Sequence, residues 1–177
     1  MDESLKFNPF EDRFSRDLRN DLSEAFVRDL ESGTEQLLEQ TIAHYQEQPL
    51  HDCYHNYLEK RIKLYKIART QLVNEKDSLA QAIVLWNLGL FFEVHEILEH
   101  SWYDAEGPTR KILQAMIRAA GVYIKRRYGY KESAARIAAK AIPVLKENRQ
   151  QLKAYFQVEQ LTTVLLDETS PPPKLTL

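Results

Sequence analysis

Residues 108–129 read PTRKILQAMIRAAGVYIKRRYG, and a single helix accounts for the whole run. Pro108 and Thr109 open it, because the fixed φ of proline is already helical and its missing N–H would have no intrahelical partner there. Ile112, Met116, Ala119, Ala120, Tyr123 and Ile124 recur at helical intervals and form one buried side. Gly129 stands where a left-handed residue closes a helix. Strand signals are missing: the chain has five glycines in 177 residues, and no Asn-Gly or Asp-Gly pair separates alternating apolar runs. The expected class is all-α, a compact multihelical bundle with extra N-terminal helices.

Working outward, the same periodicity predicts a helix from Asp77 or Ser78 to about Tyr103, bent near Asn87 and Gly89. Before it, Asn8 and Pro9 look like a cap and first residue, followed by Phe10, Phe14, Leu18, Leu22 and Phe26 at helical spacing up to Gly33. A short helix must stop before Pro49, and a third runs from about His51 to Asn74. Downstream, Glu132 to Arg149 is Ala-rich and suits close helix packing, although Pro143 should kink or end it. An amphipathic piece follows from about Gln151 to Leu166. The segments are an N-terminal extension over 1–76 that packs on the core, a central core over 77–150, a C-terminal helix over 151–169 and a Pro-rich flexible tail over 170–177.

Composition excludes several function classes. With 24 basic and 26 acidic residues the formal charge is −2, which leaves no electrostatic footprint for nucleic acid or an anionic membrane. The longest charge-free run, Ser78 to Phe92, is too short to cross a bilayer. Cys53 is the only cysteine, so there is neither a disulfide framework nor a Cys-rich metal site, and a cytoplasmic location is expected.

The chemistry concentrates in Phe91-Phe92-Glu93-Val94-His95-Glu96-Ile97-Leu98-Glu99-His100-Ser101-Trp102. On a helical projection Leu88, Phe91, Phe92, His95, Leu98, Glu99 and Trp102 fall on one side, and Glu93, Glu96 and His100 on another. His95 and Glu99 are therefore expected within an apolar stripe, where an unpartnered carboxylate would be costly. Spaced i, i+4, they can pair, the carboxylate orienting the imidazole.

Three readings stay open: a polar network that locks helices in register, a divalent-metal site with His95 and Glu99 as ligands, and an acid/base site with His95, Glu96 and Glu99 as catalytic candidates. The metal patterns each miss by a residue. H-E-x-x-H needs His at Glu99, H-x-x-E-H needs His at Glu96, and the Glu-x-x-His of di-iron bundles finds Phe92 and Ile97 instead. Arg110, Gln114, Arg118 and Lys125 form a second stripe. Facing Glu93 and Glu96, it would enclose a polar pocket for a small molecule or anion lined by Glu93, His95, Glu96, Glu99, Trp102, Gln114 and Arg118, with Trp102 as the lid. His51 and His55, one turn apart, read as the polar start of a helix.

From Ile83 to about Leu145 the chain resembles the DUF309 family, small helical proteins of bacteria and archaea. Its core F-E-x-H-E-x-L-E-x-x-W is matched by Phe92, Glu93, His95, Glu96, Leu98, Glu99 and Trp102, followed by Arg110, Gln114, Ile117, Ala119-Ala120, Gly129 and Ala134. The resemblance implies a multihelical fold in which the His/Glu helix packs on the helix carrying Gln114, and it implies no reaction. This chain departs at Arg118, where members often have Gln, and at Gly129-Tyr130, where many have Gly-Asn. His100 lies outside the motif. The aromatics Phe7, Phe10, Phe14, Phe26, Tyr45, Tyr54, Tyr57 and Tyr65 of the extension supply core, or a homodimer face.

Overall fold

The computed structural model describes residues 5–176. Among them there are nine helices and no strand: α1 Arg13–Ser32, α2 Gln36–Gln46, α3 Asp52–Gln71, α4 Ser78–Asn87, α5 Phe91–Asp104, α6 Gly107–Arg127, α7 Lys131–Glu147, α8 Arg149–Leu152 and α9 Val158–Thr162. The chain divides into two units, one ending at Gln71 and the other starting at Leu72.

In the first unit α1 packs against α2 and α3. Its helix starts later than the Asn8-Pro9 signal suggests. Asn8 Oδ1 accepts the N–H of Phe10 at 3.0 Å and spends the signal on a turn, whereas Asp12 caps α1 through Phe14 N at 3.3 Å and Ser15 N at 2.8 Å. The aromatics are ring-packed: Phe26 stacks on Tyr65 at 4.2 Å, and Phe7 on Tyr57 at 3.8 Å. Tyr54 donates its hydroxyl to Asp12 at 2.8 Å. Burial and that bond push the Tyr54 phenol up to about 12.

In the second unit α4 packs on α5, α5 on α6, and α6 on α7. The expected helix over 77–103 is two helices. Leu90 N reaches back to Leu85 O at 2.9 Å and Gly89, at φ 73°, takes the left-handed turn that a side chain would resist. The α6–α7 seam is made of small residues, with Ala134, Ala138 and Ala141 of α7 fully buried beside Ala115, Ala119 and Ala120 of α6. Pro143 does not end α7, which continues to Glu147. The ring lies on the exposed side one turn from the helix end, so only one backbone bond is lost.

The predicted helix over 151–166 is broken into α8 and α9. Phe156 and Val158 are both buried, a spacing of two that suits extended chain rather than helix. Between the pieces Tyr155 donates its hydroxyl to Asp77 at 2.8 Å, Asp77 being the N-cap of α4. The Pro-rich segment expected as a flexible tail is extended and tied down: Leu175 is 1% exposed and its N–H donates to Asn87 Oδ1 at 2.9 Å. Polar pairing and an apolar anchor, neither visible in the proline run itself, offset the entropy of ordering it.

Candidate functional site

α5 and α6 follow each other through a two-residue link and run antiparallel. Two contacts set their levels. Near the link the Arg110 guanidinium lies 3.9 Å over the Trp102 ring, and toward the other end the Phe91 and Tyr123 rings stack at 5.5 Å. Interpolating between these places Glu99 level with Gln114 and His95 level with Arg118.

The burial expected for His95 and Glu99 is not what forms. Each side chain is 40% exposed, and His95 Nδ1 stands 3.7 Å from Glu99 Oε2, an ion-pair distance too long for a hydrogen bond. The buried carboxylate of α5 is Glu93, at 0% exposed, although it was expected on the polar stripe. The physical reason lies in how many sides of α5 are covered. Glu93, Val94, Ile97 and Leu98 are all buried, so the covered arc extends beyond the line of Phe91 and Leu98 that periodicity marks. Glu93 sits in the first turn, where the partial positive charge of free N–H groups offsets part of the cost of burying an acid.

Glu96 and His100 form a second i, i+4 pair, Oε1 to Nε2 at 3.3 Å, with side chains 22% and 28% exposed. His100, outside the family motif, is thus paired like His95. Among the described residues no group of three or more His, Cys, Asp or Glu side chains converges as a metal site. His95 and Glu99 remain a set of two, which does not fit a divalent ion needing at least three protein ligands. His51 is a local cap: its Nδ1 accepts Cys53 N at 3.3 Å at the start of α3.

On α6 the stripe divides into committed and uncommitted groups. Arg110 covers Trp102 and donates to Ala105 O at 3.3 Å, so Trp102 is held under a guanidinium rather than free to act as a lid. Lys125 lies 5.0 Å over the Tyr130 ring. Gln114 and Arg118 are half-buried, and among the described residues neither makes a hydrogen bond or an ion pair. Along the helix axes Gln114 and Arg118 lie at the heights of Glu99 and His95. The sequence places Arg110 in the α6 stripe and in the family resemblance but gives no sign of its stacking on Trp102.

The second unit is all-α among the described residues, with α5, which bears the His95–Glu99 and Glu96–His100 pairs, packed antiparallel on α6. Residues 79–137 match the family model described as Domain of unknown function (DUF309). The segment from α4 into α7 is thus similar to that family, the one whose F-E-x-H-E-x-L-E-x-x-W motif the chain carries. No curated protein and no solved structure matches the chain. No helix among the described residues is long and apolar enough to cross a membrane.

Proposed function

We propose that the half-open face of α5 and α6 binds a small polar ligand carrying an anionic group. Arg118 and Gln114 take the anion, and His95 with Glu99 faces the neighbouring protic group of the same ligand. The observation that carries this reading is the uncommitted state of Gln114 and Arg118, both half-buried with their donors unspent. A guanidinium presents five donors in a fixed fork suited to carboxylate or phosphate, and it usually finds a partner when partly buried. The exposure of His95 favours ligand binding over a sealed structural network. The loose His95–Glu99 contact leaves the pair able to tighten around a bound group, which is also what an acid/base role would use. The single thiol suits a reducing compartment, and we place this activity in the cytoplasm.

The test is protein-observed NMR with inorganic phosphate and small mono- and dicarboxylates as probes. Saturable shifts of the His95 ring resonances are expected for at least one probe. Arg118→Ala should weaken that binding about tenfold, the loss of a charge-assisted pair worth about 1.4 kcal/mol, while leaving the fold unchanged. Shifts that never saturate, or that are the same in Arg118→Ala, would remove the proposal.

A further inference from the structure

A second site lies away from that face, at the far end of α4, and it is already occupied. The chain leaves α9 and turns at Asp167, whose Oδ1 accepts Thr169 N at 2.9 Å and whose Oδ2 accepts Ser170 Oγ at 2.6 Å. Beyond this turn the backbone runs extended, and alternate residues meet the protein. Pro173 is half-buried and Leu175 buried, whereas Pro172, Lys174 and Thr176 are exposed.

The contacts are those of a bound peptide. The indole N–H of Trp86, a side chain only 2% exposed, donates to Pro173 O at 2.9 Å. Asn87 reads the backbone of Leu175 twice: its Nδ2 donates to Leu175 O at 2.9 Å, and its Oδ1 accepts Leu175 N at 2.9 Å. Lys174 Nζ donates to the Asn87 carbonyl. On the other side Gln160 Oε1 accepts Thr176 N at 3.2 Å, and Gln157 N donates to Thr176 O at 3.3 Å. Gln160 Nε2 also donates to Thr176 Oγ1 at 3.3 Å, but most of the polar bonds go to the backbone of the segment, so what the groove selects is an extended conformation with a proline and, two residues later, a leucine. Proline-rich chain pre-pays the ordering entropy of such a ligand.

The seat is shallow. Leu175 is its single deep anchor, and a cleft of about 290 Å³ stays open beside the segment, lined by Trp86, Phe91, Arg127, Pro172 and Lys174. A strand of core would be enclosed on both sides, whereas one side chain and a row of edge bonds make a contact that opens locally.

We propose that Trp86, Asn87 and Gln160 form a binding site for an extended Pro-x-Leu-Thr peptide, that Pro173–Thr176 is its resident ligand in cis, and that the same segment of a second copy exchanges with it. This goes beyond the α5–α6 reading and does not depend on it.

The experiment uses the full chain carrying Leu175→Asp, which removes the anchor, and a fluorescent peptide of residues 167–177 followed by anisotropy. The variant should bind the peptide saturably, and the unsubstituted chain at least tenfold more weakly because its own segment competes. A peptide with Asp in place of the leucine should not bind. Asn87→Ala in the Leu175→Asp background should lose at least tenfold. On the unsubstituted chain, hydrogen exchange at Leu175 and Thr176 should run at least tenfold faster than at the central amides of α6. Equal binding by variant and parent, no binding to either, loss of helical circular dichroism in Leu175→Asp, or exchange at Leu175 as slow as in α6 would each overturn the proposal.

Discussion

Asp29 in the first unit and Glu99 in the second are both helical carboxylates beside a basic or titratable side chain, and their surroundings are opposite. Asp29 is 2% exposed and fully spent: Oδ1 accepts Thr34 Oγ1 at 2.8 Å and Leu37 N at 3.3 Å, Oδ2 accepts Leu38 N at 2.9 Å, and Arg69 stands 3.5 Å away. It caps α2, whose own N-cap residue Glu35 makes no capping bond and pairs instead with Arg69 at 2.9 Å. Glu99 is 40% exposed, and among the described residues its ion pair is with His95, at 3.7 Å. The contrast teaches that burial with every acceptor used builds structure, whereas partial exposure with long contacts leaves capacity for something else. Glu93 sides with Asp29 in burial, although it shares a helix and a motif with Glu99.

The comparison breaks most visibly at Asp29. Asp29→Ala strips the cap from α2 and leaves Arg69 beside an empty site, so urea titration should show a loss of about 3 kcal/mol. A loss under about 1 kcal/mol would return Asp29 to the class of Glu99. Next comes Glu93→Ala, which opens a cavity at a fully buried position and strands the groups around it; about 2 kcal/mol is expected in the same measurement.

A smaller effect sharpens the view of the second unit through pH. The hydrogen bond from Tyr155 to Asp77, with burial and the Asp77 charge, holds the phenol at about 12 instead of 10. A raised pKa means the protonated form is favoured by folding. Its contribution is therefore complete below pH 10 and fades as pH rises from 10 to 12. Tyr155→Phe should lose about 1 kcal/mol near neutrality and show a shallower alkaline decline over that window. Parallel decline of parent and variant would mean that the bond does not link α4 to the residues after α8.

The smallest expected change is at Glu99. Glu99→Ala should alter stability by no more than about 0.5 kcal/mol, the scale of an exposed i, i+4 pair. The measurement pairs with the Glu93 variant: equal losses at the two positions would mean that the covered and open sides of α5 have been exchanged.

Much of the fold was legible because helices announce themselves locally. The buried side of α6, the cap at Asp77, the stop at Gly33 and the class of the whole chain follow from spacing and turn chemistry within a few residues. The DUF309 motif also named the helix that bears the polar face. What spacing missed depends on neighbours far along the chain. Asp29 caps a helix that begins seven residues later, Tyr155 ties down a cap 78 positions away, and Asn87 grips a backbone 88 positions away. The proline run gave no sign of its anchor, because the apolar seat for Leu175 exists only once α4 and α9 are in place.

The order of apolar and polar residues alone dictated that this chain is helical, where most helices begin and end, and that one of them concentrates histidine and glutamate. Assembly decided which of those acids is buried. A helical projection gives the angle of a side chain about its axis, but its exposure depends on how wide an arc the other helices cover. Around α5 every side of the first turn from Phe91 to Val94 is enclosed, Glu93 with it, and further along only Ile97 and Leu98 are buried, which leaves His95 and Glu99 part-exposed.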